Sequence, residues 1–243
     1  TPRTIFLAHY QHPAHTIAIS QTLKDTTYFR LRVDTDSLLY RSIRVTVDSP
    51  YYYLADGTKR FIYRGRLGQI ASPWIMDTPF SKAIPLSDYS AAMVAILNFR
   101  TTLMRQTISG SVPEQFPDLL QDQHEDLFSS DGMLLYAKAS GQLVYVYFYR
   151  NEYVVMDTSF CEISRGHTID TIRQAKIKTG HITSKSARVL SANALVVNNQ
   201  STLNNGLLYI HSNLLAQNED VRVFESHAAV DVYSIKSGRY AYS

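Results

Sequence analysis

Cysteine occurs once, at Cys161. No disulfide can staple the chain, so its stability must come from a packed core. A lone thiol in such a chain is expected to be buried and inert. Glycine is scarce, at 10 of 243 residues, which excludes long flexible linkers. No apolar run reaches the roughly 18 residues that a membrane-spanning helix needs, and no signal peptide is visible. The sequence starts at Thr1-Pro2-Arg3 without Met, as a processed or trimmed chain would, so the missing signal leaves the location open. An excess of one charge is also lacking: 24 basic and 21 acidic residues leave +3. That balance, with no dense Lys/Arg stripe, does not suit a phosphate-tracking surface, and no nucleic acid partner is expected. Neither a G-x-S-x-G elbow nor a glycine-rich phosphate fingerprint occurs, and Gly65-x-x-Gly68 is too short for one.

What is present in quantity is tyrosine, 17 residues beside ten Phe. Tyr and Phe favour strands and contact surfaces. The stretch from Asp131 to Thr158 shows the organisation most clearly. Its Tyr-, Val- and Leu-rich runs are punctuated at Asp131-Gly132, Ser140-Gly141 and Arg150-Asn151-Glu152. This predicts a meander of three or four short antiparallel strands. A lone meander is marginal in water and needs neighbours of its own kind.

The rest of the chain supplies them. Strands are expected at 4–9, 15–19, 27–33 and 42–47, with a polar loop carrying Pro13 between the first two. Tyr51–Leu54 should run into an Asp56-Gly57 hairpin and Phe61–Tyr63. Residues 91–108 are predicted as two strands, Met93–Phe99 and Thr101–Ile108, around Asn98-Phe99-Arg100. Residues 110–128, with Pro113 and Pro117, read as a long loop, and Thr168–Lys178 as a short helical turn. Val189–Val197, Leu207–Ile210, Val221–Phe224, Ala229–Ile235 and Tyr240–Tyr242 complete the strands.

A weak internal repeat underlies the fold prediction. Asp34-Thr35, Asp77-Thr78 and Asp157-Thr158 follow strands at spacings of 43 and 80 residues. A turn followed by a strand ending in Tyr recurs at Gly132–Tyr136 and Gly206–Tyr209, with a looser copy at Asp56–Tyr63. A period near 40 residues with several short strands fits a propeller blade. The expectation is one all-β β-propeller domain over residues 1–243, with six blades of about 40 residues. A β-sandwich or open double sheet is the competing architecture.

The stretches A-N-A-L-V-V-N-N-Q (192–200), G-L-L-Y-I-H-S-N (206–213) and D-V-Y-S-I-K-S-G-R-Y-A-Y-S (231–243) resemble six-bladed TolB-like β-propeller proteins of Bacteroidetes-like bacteria. The likeness is clearest over residues 125–243. It implies a periplasmic or secreted protein, and its motifs are structural, so no catalytic residue carries over. The Trp-Asp endings of WD blades and the Asp-box pattern are both missing.

Candidate chemistry is sparse. His9, His12 and His15 in H-Y-Q-H-P-A-H are the metal-ligand candidates, set against a polar loop with scattered histidines. His124, beside Glu125 and Asp126 and downstream of Asp118 and Asp122, is a ligand-contact candidate set against a solvated loop. Tyr51, Tyr53 and Trp74 are candidates for an aromatic contact surface, with packing between blades explaining them equally well. Tyr63-Arg64-Gly65-Arg66 is a candidate anion contact. No cofactor is expected. The expected function is a non-enzymatic binding or interaction module that takes a protein, peptide or glycan at the mouth of a propeller channel, near the 110–128 loop. The alternatives are a hydrolase or lyase acting on glycans or peptides, and a structural assembly module.

Overall fold

In a computed structural model, the described residues are 4–9, 11–34, 42–108, 112–123, 128–177, 179–182, 187–190, 194–215 and 220–243. The first sheet is β1 (Thr4–His9), β2 (His12–Ser20) and β3 (Thr26–Arg30). The short β4 (Arg32–Val33) lies parallel to the outer strand of the second sheet. That sheet is built from β5 (Arg44–Asp48), β6 (Tyr51–Asp56), β7 (Phe61–Arg66) and β8 (Ile70–Met76). The third comprises β9 (Lys82–Pro85), β10 (Ser90–Leu97), β11 (Arg100–Thr107) and β12 (Glu114–Phe116). The fourth holds β13 (Gly132–Ala137), β14 (Gln142–Tyr147), β15 (Glu152–Asp157) and β16 (Glu162–His167). A separate hairpin, β17 (Thr179–Ile182) and β18 (Ala187–Leu190), precedes the fifth sheet. That sheet contains β19 (Asn198–Asn204), β20 (Leu207–Ser212), β21 (Val230–Ser234) and β22 (Arg239–Tyr242), with helix α1 (Val221–Ser226) between β20 and β21.

The fold is therefore an all-β propeller of five blades, not six. Dividing the chain by a constant period failed because the intervals are unequal. The first strands of blades 2 to 5 start at Arg44, Lys82, Gly132 and Asn198, so the interval grows from 38 to 50 to 66 residues. The anchors were also out of phase. Asp77 follows the fourth strand of its blade, whereas Asp157 follows the third. Gly132–Tyr136 lies on a first strand and Leu207–Tyr209 on a second. Asp157 recurs because it caps a turn, accepting from the N–H groups of Ser159 and Cys161. Such a turn serves any strand end.

The chain forms two compact units. One is Thr1–Ala83 with Tyr89–Met93 and Arg105–Glu114; the other is Ile84–Asp88 with Val94–Met104 and Gln115–Ser243. In the first unit, Leu31, Ile43, Tyr52, Leu54, Phe61, Tyr63 and Ala71 form a core. Tyr52 is opposite Gly65 in the strand register, and a Cβ on Gly65 would lie 2.5 Å from its ring. The Tyr52 hydroxyl reaches the carbonyl oxygens of Arg32, at 2.7 Å, and Gln69, at 2.8 Å. The second unit repeats the device: Tyr153 is opposite Gly166, whose Cβ would fall 2.3 Å from the Tyr153 ring. Each glycine leaves a flat seat for an aromatic ring, and a methyl group there would displace it.

In the second unit, blade 4 packs on blade 5 through Val144, Val146, Tyr153 and Val155 against Leu208, Ile210, Tyr233 and Ile235. At one end of blade 4, Arg150 is fully buried. It donates to Glu152 at 2.8 Å, to the Ser129 carbonyl at 3.0 Å and to the Gln121 carbonyl at 2.8 Å. Its guanidinium carbon also lies 3.5 Å from the centroid of the Tyr147 ring. Arg165 holds the other Glu152 oxygen at 2.6 Å. The predicted Arg150–Glu152 turn is thus also a charged clamp on the preceding segment.

Local expectations fared unevenly. The 131–158 meander and the split of 91–108 are as predicted, and Asn98 and Phe99 take left-handed backbone in the turn. The 27–33 strand breaks at Leu31, because β4 joins another sheet. The 110–128 loop contains β12, and residues 168–177 hold no helical turn. Of the predicted Val189–Val197 strand, Val189 and Leu190 lie in β18, residues 191–193 lie outside the described residues, and 194–197 are not strand; the next strand begins at Asn198. Val221–Phe224 is helical, because the Asp220 carboxylate accepts from Arg222 N–H at 2.8 Å and starts a turn. Cys161 is exposed rather than buried, one residue past the β15 turn. Among the described residues no helix is long and apolar enough to cross a membrane.

Removing a buried charge strands its partners. Arg150→Ala is expected to lower unfolding free energy by about 3–5 kcal/mol in chemical denaturation. A loss below about 1 kcal/mol would mean the clamp is dispensable. Burial also holds the Asp131 carboxyl above its ordinary value, against the hydrogen bond it accepts from Thr101 at 2.9 Å. A carboxyl that ionises at higher pH in the fold than in the unfolded chain withdraws stability as pH rises through that interval. Asp131→Asn should remove this fall, seen as a flatter denaturation midpoint as pH rises above the ordinary aspartate value of about 4; an unchanged slope would contradict it.

Candidate functional site

On blade 1 several large apolar side chains remain in the open. Its strands are apolar on both faces, and alternation sorts them into two sets. Phe6, Ala18 and Thr27 form one cross-strand row, and Ala8, Thr16 and Phe29 the next. Thr16 and Ala18 on that face are buried. The opposite face carries the row Ile5–Ile19–Thr26, then Leu7–Ile17–Tyr28, then His15 paired with Arg30. Here Ile5 is 46% exposed, Leu7 50% and Tyr28 76%.

Pro13 shapes the end of this face. It was expected in a loop, yet it lies inside β2. Ala8 pairs with Thr16, but the next residue, His9, pairs with His12, so Pro13, Ala14 and His15 have no partner on β1. Proline has no N–H to give a ladder, so it belongs at such an irregularity. The skipped residues are held from the other side, where Leu31 N–H donates to the Ala14 carbonyl at 2.7 Å. The irregularity stacks the three imidazoles: His9 and His12 centroids are 5.8 Å apart at 26°, and His12 and His15 are 6.4 Å apart at 23°.

Near-parallel rings aim their in-plane nitrogens side by side, not at one point, which is poor geometry for a tetrahedral metal. Among the described residues no group of three His, Cys, Asp or Glu has metal-holding spacing. The Gln11 N–H donates to His9 Nδ1 at 3.2 Å. Neutral His9 therefore carries its proton on Nε2, a donor. A cavity of about 690 Å³ lies at this end of the sheet, lined by Leu7, Ile17 and Tyr28, by the three histidines and Arg30, and by the Ala8–Thr16–Phe29 row of the other face. None of its described lining residues is acidic.

The other predicted site residues are dispersed. Tyr53 and Trp74 are buried against each other, with centroids 5.2 Å apart. Tyr51 sits under the Arg64 guanidinium, 3.8 Å from the ring centroid, which also occupies the arginine of the expected anion turn. His124, Glu125 and Asp126 lie outside the described residues. Asp122 pairs with Arg100. Leu7, Ile17, Tyr28 and Arg30 were missed as site residues. The available signal was that 4–9 and 15–19 carry apolar residues at both odd and even positions, which marks strands needing cover on two faces.

No family model matches the chain, and no curated protein matches it. Solved structures do. A member of the DUF4221 family from Bacteroides vulgatus superposes with a TM-score of 0.55 at 11% identity, over 93% of this chain and 73% of its own. A structure described as putative TolB from Agrobacterium tumefaciens gives 0.53 at 9%, over 99% and 76%. A nidogen/laminin complex gives 0.54 at 10%, over 98% and 74%. Such identities show a shared fold alone. The TolB-like likeness thus holds for the propeller fold, with five blades in place of the six expected.

Trp74 is the sole tryptophan, so its burial has a direct readout. Its emission should be blue-shifted and weakly quenched by iodide until the protein unfolds; strong quenching of the folded protein would restore it as a surface contact.

Proposed function

We propose that this chain is a non-enzymatic binding module whose ligand sits on the open face of blade 1. One observation carries this: a cavity of about 690 Å³ whose lining includes Leu7 and Tyr28, both at least half exposed. Ligand sites are concave, mostly apolar and carry a few placed polar groups. A contiguous exposed apolar patch on a folded protein marks an interaction surface more often than an accident. The face meets both descriptions, with the Leu7–Ile17–Tyr28 row as floor and His9, His12, His15 and Arg30 as the polar border. On this reading the ligand sits on a blade face rather than at the channel mouth.

The test uses a neutral apolar fluorophore, N-phenyl-1-naphthylamine, titrated into wild type and Leu7→Asp. A carboxylate on the floor should weaken probe binding at least about tenfold, while far-UV circular dichroism and the melting temperature hold. Equal enhancement in both proteins would remove this face as the site.

A further inference from the structure

We propose that the blade 1 cavity takes a small amphipathic carboxylate, with its acid at Arg30 and its apolar body along Leu7, Ile17 and Tyr28. This rests on the cavity being a ligand site and names the class of ligand. Charge complementarity and direction both point to this class. Beside the hydroxyls of Thr16 and Tyr28, the polar side chains lining the cavity are His9, His12, His15 and Arg30, and no described lining residue is acidic. Arg30 forms no ion pair with a described residue, and it is exposed at the end of β3. A guanidinium in that state offers a fork that fits a carboxylate. His15 stands directly opposite it on β2.

The apolar groups lie in one direction from that cation. The Leu7–Ile17–Tyr28 row is two residues along the strands from the His15–Arg30 pair, and the Ile5–Ile19 pair is two further. At about 3.4 Å per residue, head and tail are separated by roughly 7–14 Å. A medium-chain alkyl or arylalkyl acid spans this distance. A neutral ligand would leave the guanidinium uncompensated, and a cationic one would be repelled by it.

Calorimetric titration of decanoate, decanol and decyltrimethylammonium, each below its aggregation threshold, separates the two levels of the account. Wild type should bind decanoate at least about tenfold tighter than decanol, about 1.4 kcal/mol, and decyltrimethylammonium most weakly. Arg30→Gln should bring decanoate down to the decanol value and leave decanol unchanged, while Arg30→Lys recovers part of the difference. Because Arg30 is exposed, these variants should keep the wild-type melting temperature. Equal binding of decanoate and decanol, or no effect of Arg30→Gln, overturns the carboxylate assignment and leaves the cavity as an apolar site. Failure of both decanol and decanoate to bind overturns the cavity itself.

Discussion

A short antiparallel sheet rich in Val, Ile and Tyr has two apolar faces, and both must be covered. Each large apolar side chain moved from water to a packed face contributes roughly 1.5–3 kcal/mol. One neutral hydrogen bond yields about 1 kcal/mol net, so burying one such side chain outweighs one such bond. Blades 4 and 5 satisfy the constraint together, with Val144, Val146 and Val155 against Leu208, Ile210 and Ile235. The tyrosines extend it. Tyr52 over Gly65 and Tyr153 over Gly166 turn a glycine on one strand into a seat for an aromatic on the next. This explains how a chain with few glycines uses so much tyrosine: some of its glycines serve packing rather than turns.

Blade 1 follows the same constraint on one face only. Thr16 and Ala18 are covered, while Ile5, Leu7 and Tyr28 across the sheet are not. The site needs no special loop. It arises where a sheet face retains its apolar rows, and where Pro13 interrupts the ladder and gathers three imidazoles beside them. The polar clamp in the other unit has a different purpose. Arg150, fully buried with each guanidinium nitrogen bonded within blade 4 or to the segment before it, fixes structure.

The sequence displays the strand class well because Tyr, Val and turn residues act locally. The 131–158 meander and the Asn98-Phe99 turn could be read from neighbours alone. Blade number could not, because it depends on how many residues lie between blades, and the Asp-Thr pairs mark turns wherever they occur. Strand ends failed where a distant partner decided them, as at Leu31, or where a cap decided them, as at Asp220. For the site, the histidines were visible as a cluster, but their stacking follows from a ladder irregularity that spacing does not reveal. Tyr53 and Trp74 stood as candidates for a contact surface or for packing between blades, and both are buried against each other. Leu7 and Tyr28 were legible only as strand residues, because exposure is a property of the neighbour and not of the strand.

Backbone hydrogen exchange, followed with and without decanoate, addresses the uncovered face most directly. Ligand on that face should suppress local opening of its strands. At about ten times the dissociation constant, amides in 4–9, 12–20 and 26–30 should slow by roughly tenfold, with 142–157 and 207–212 unchanged. Protection confined to those last segments, or none anywhere, would contradict the assignment of blade 1 as the binding surface.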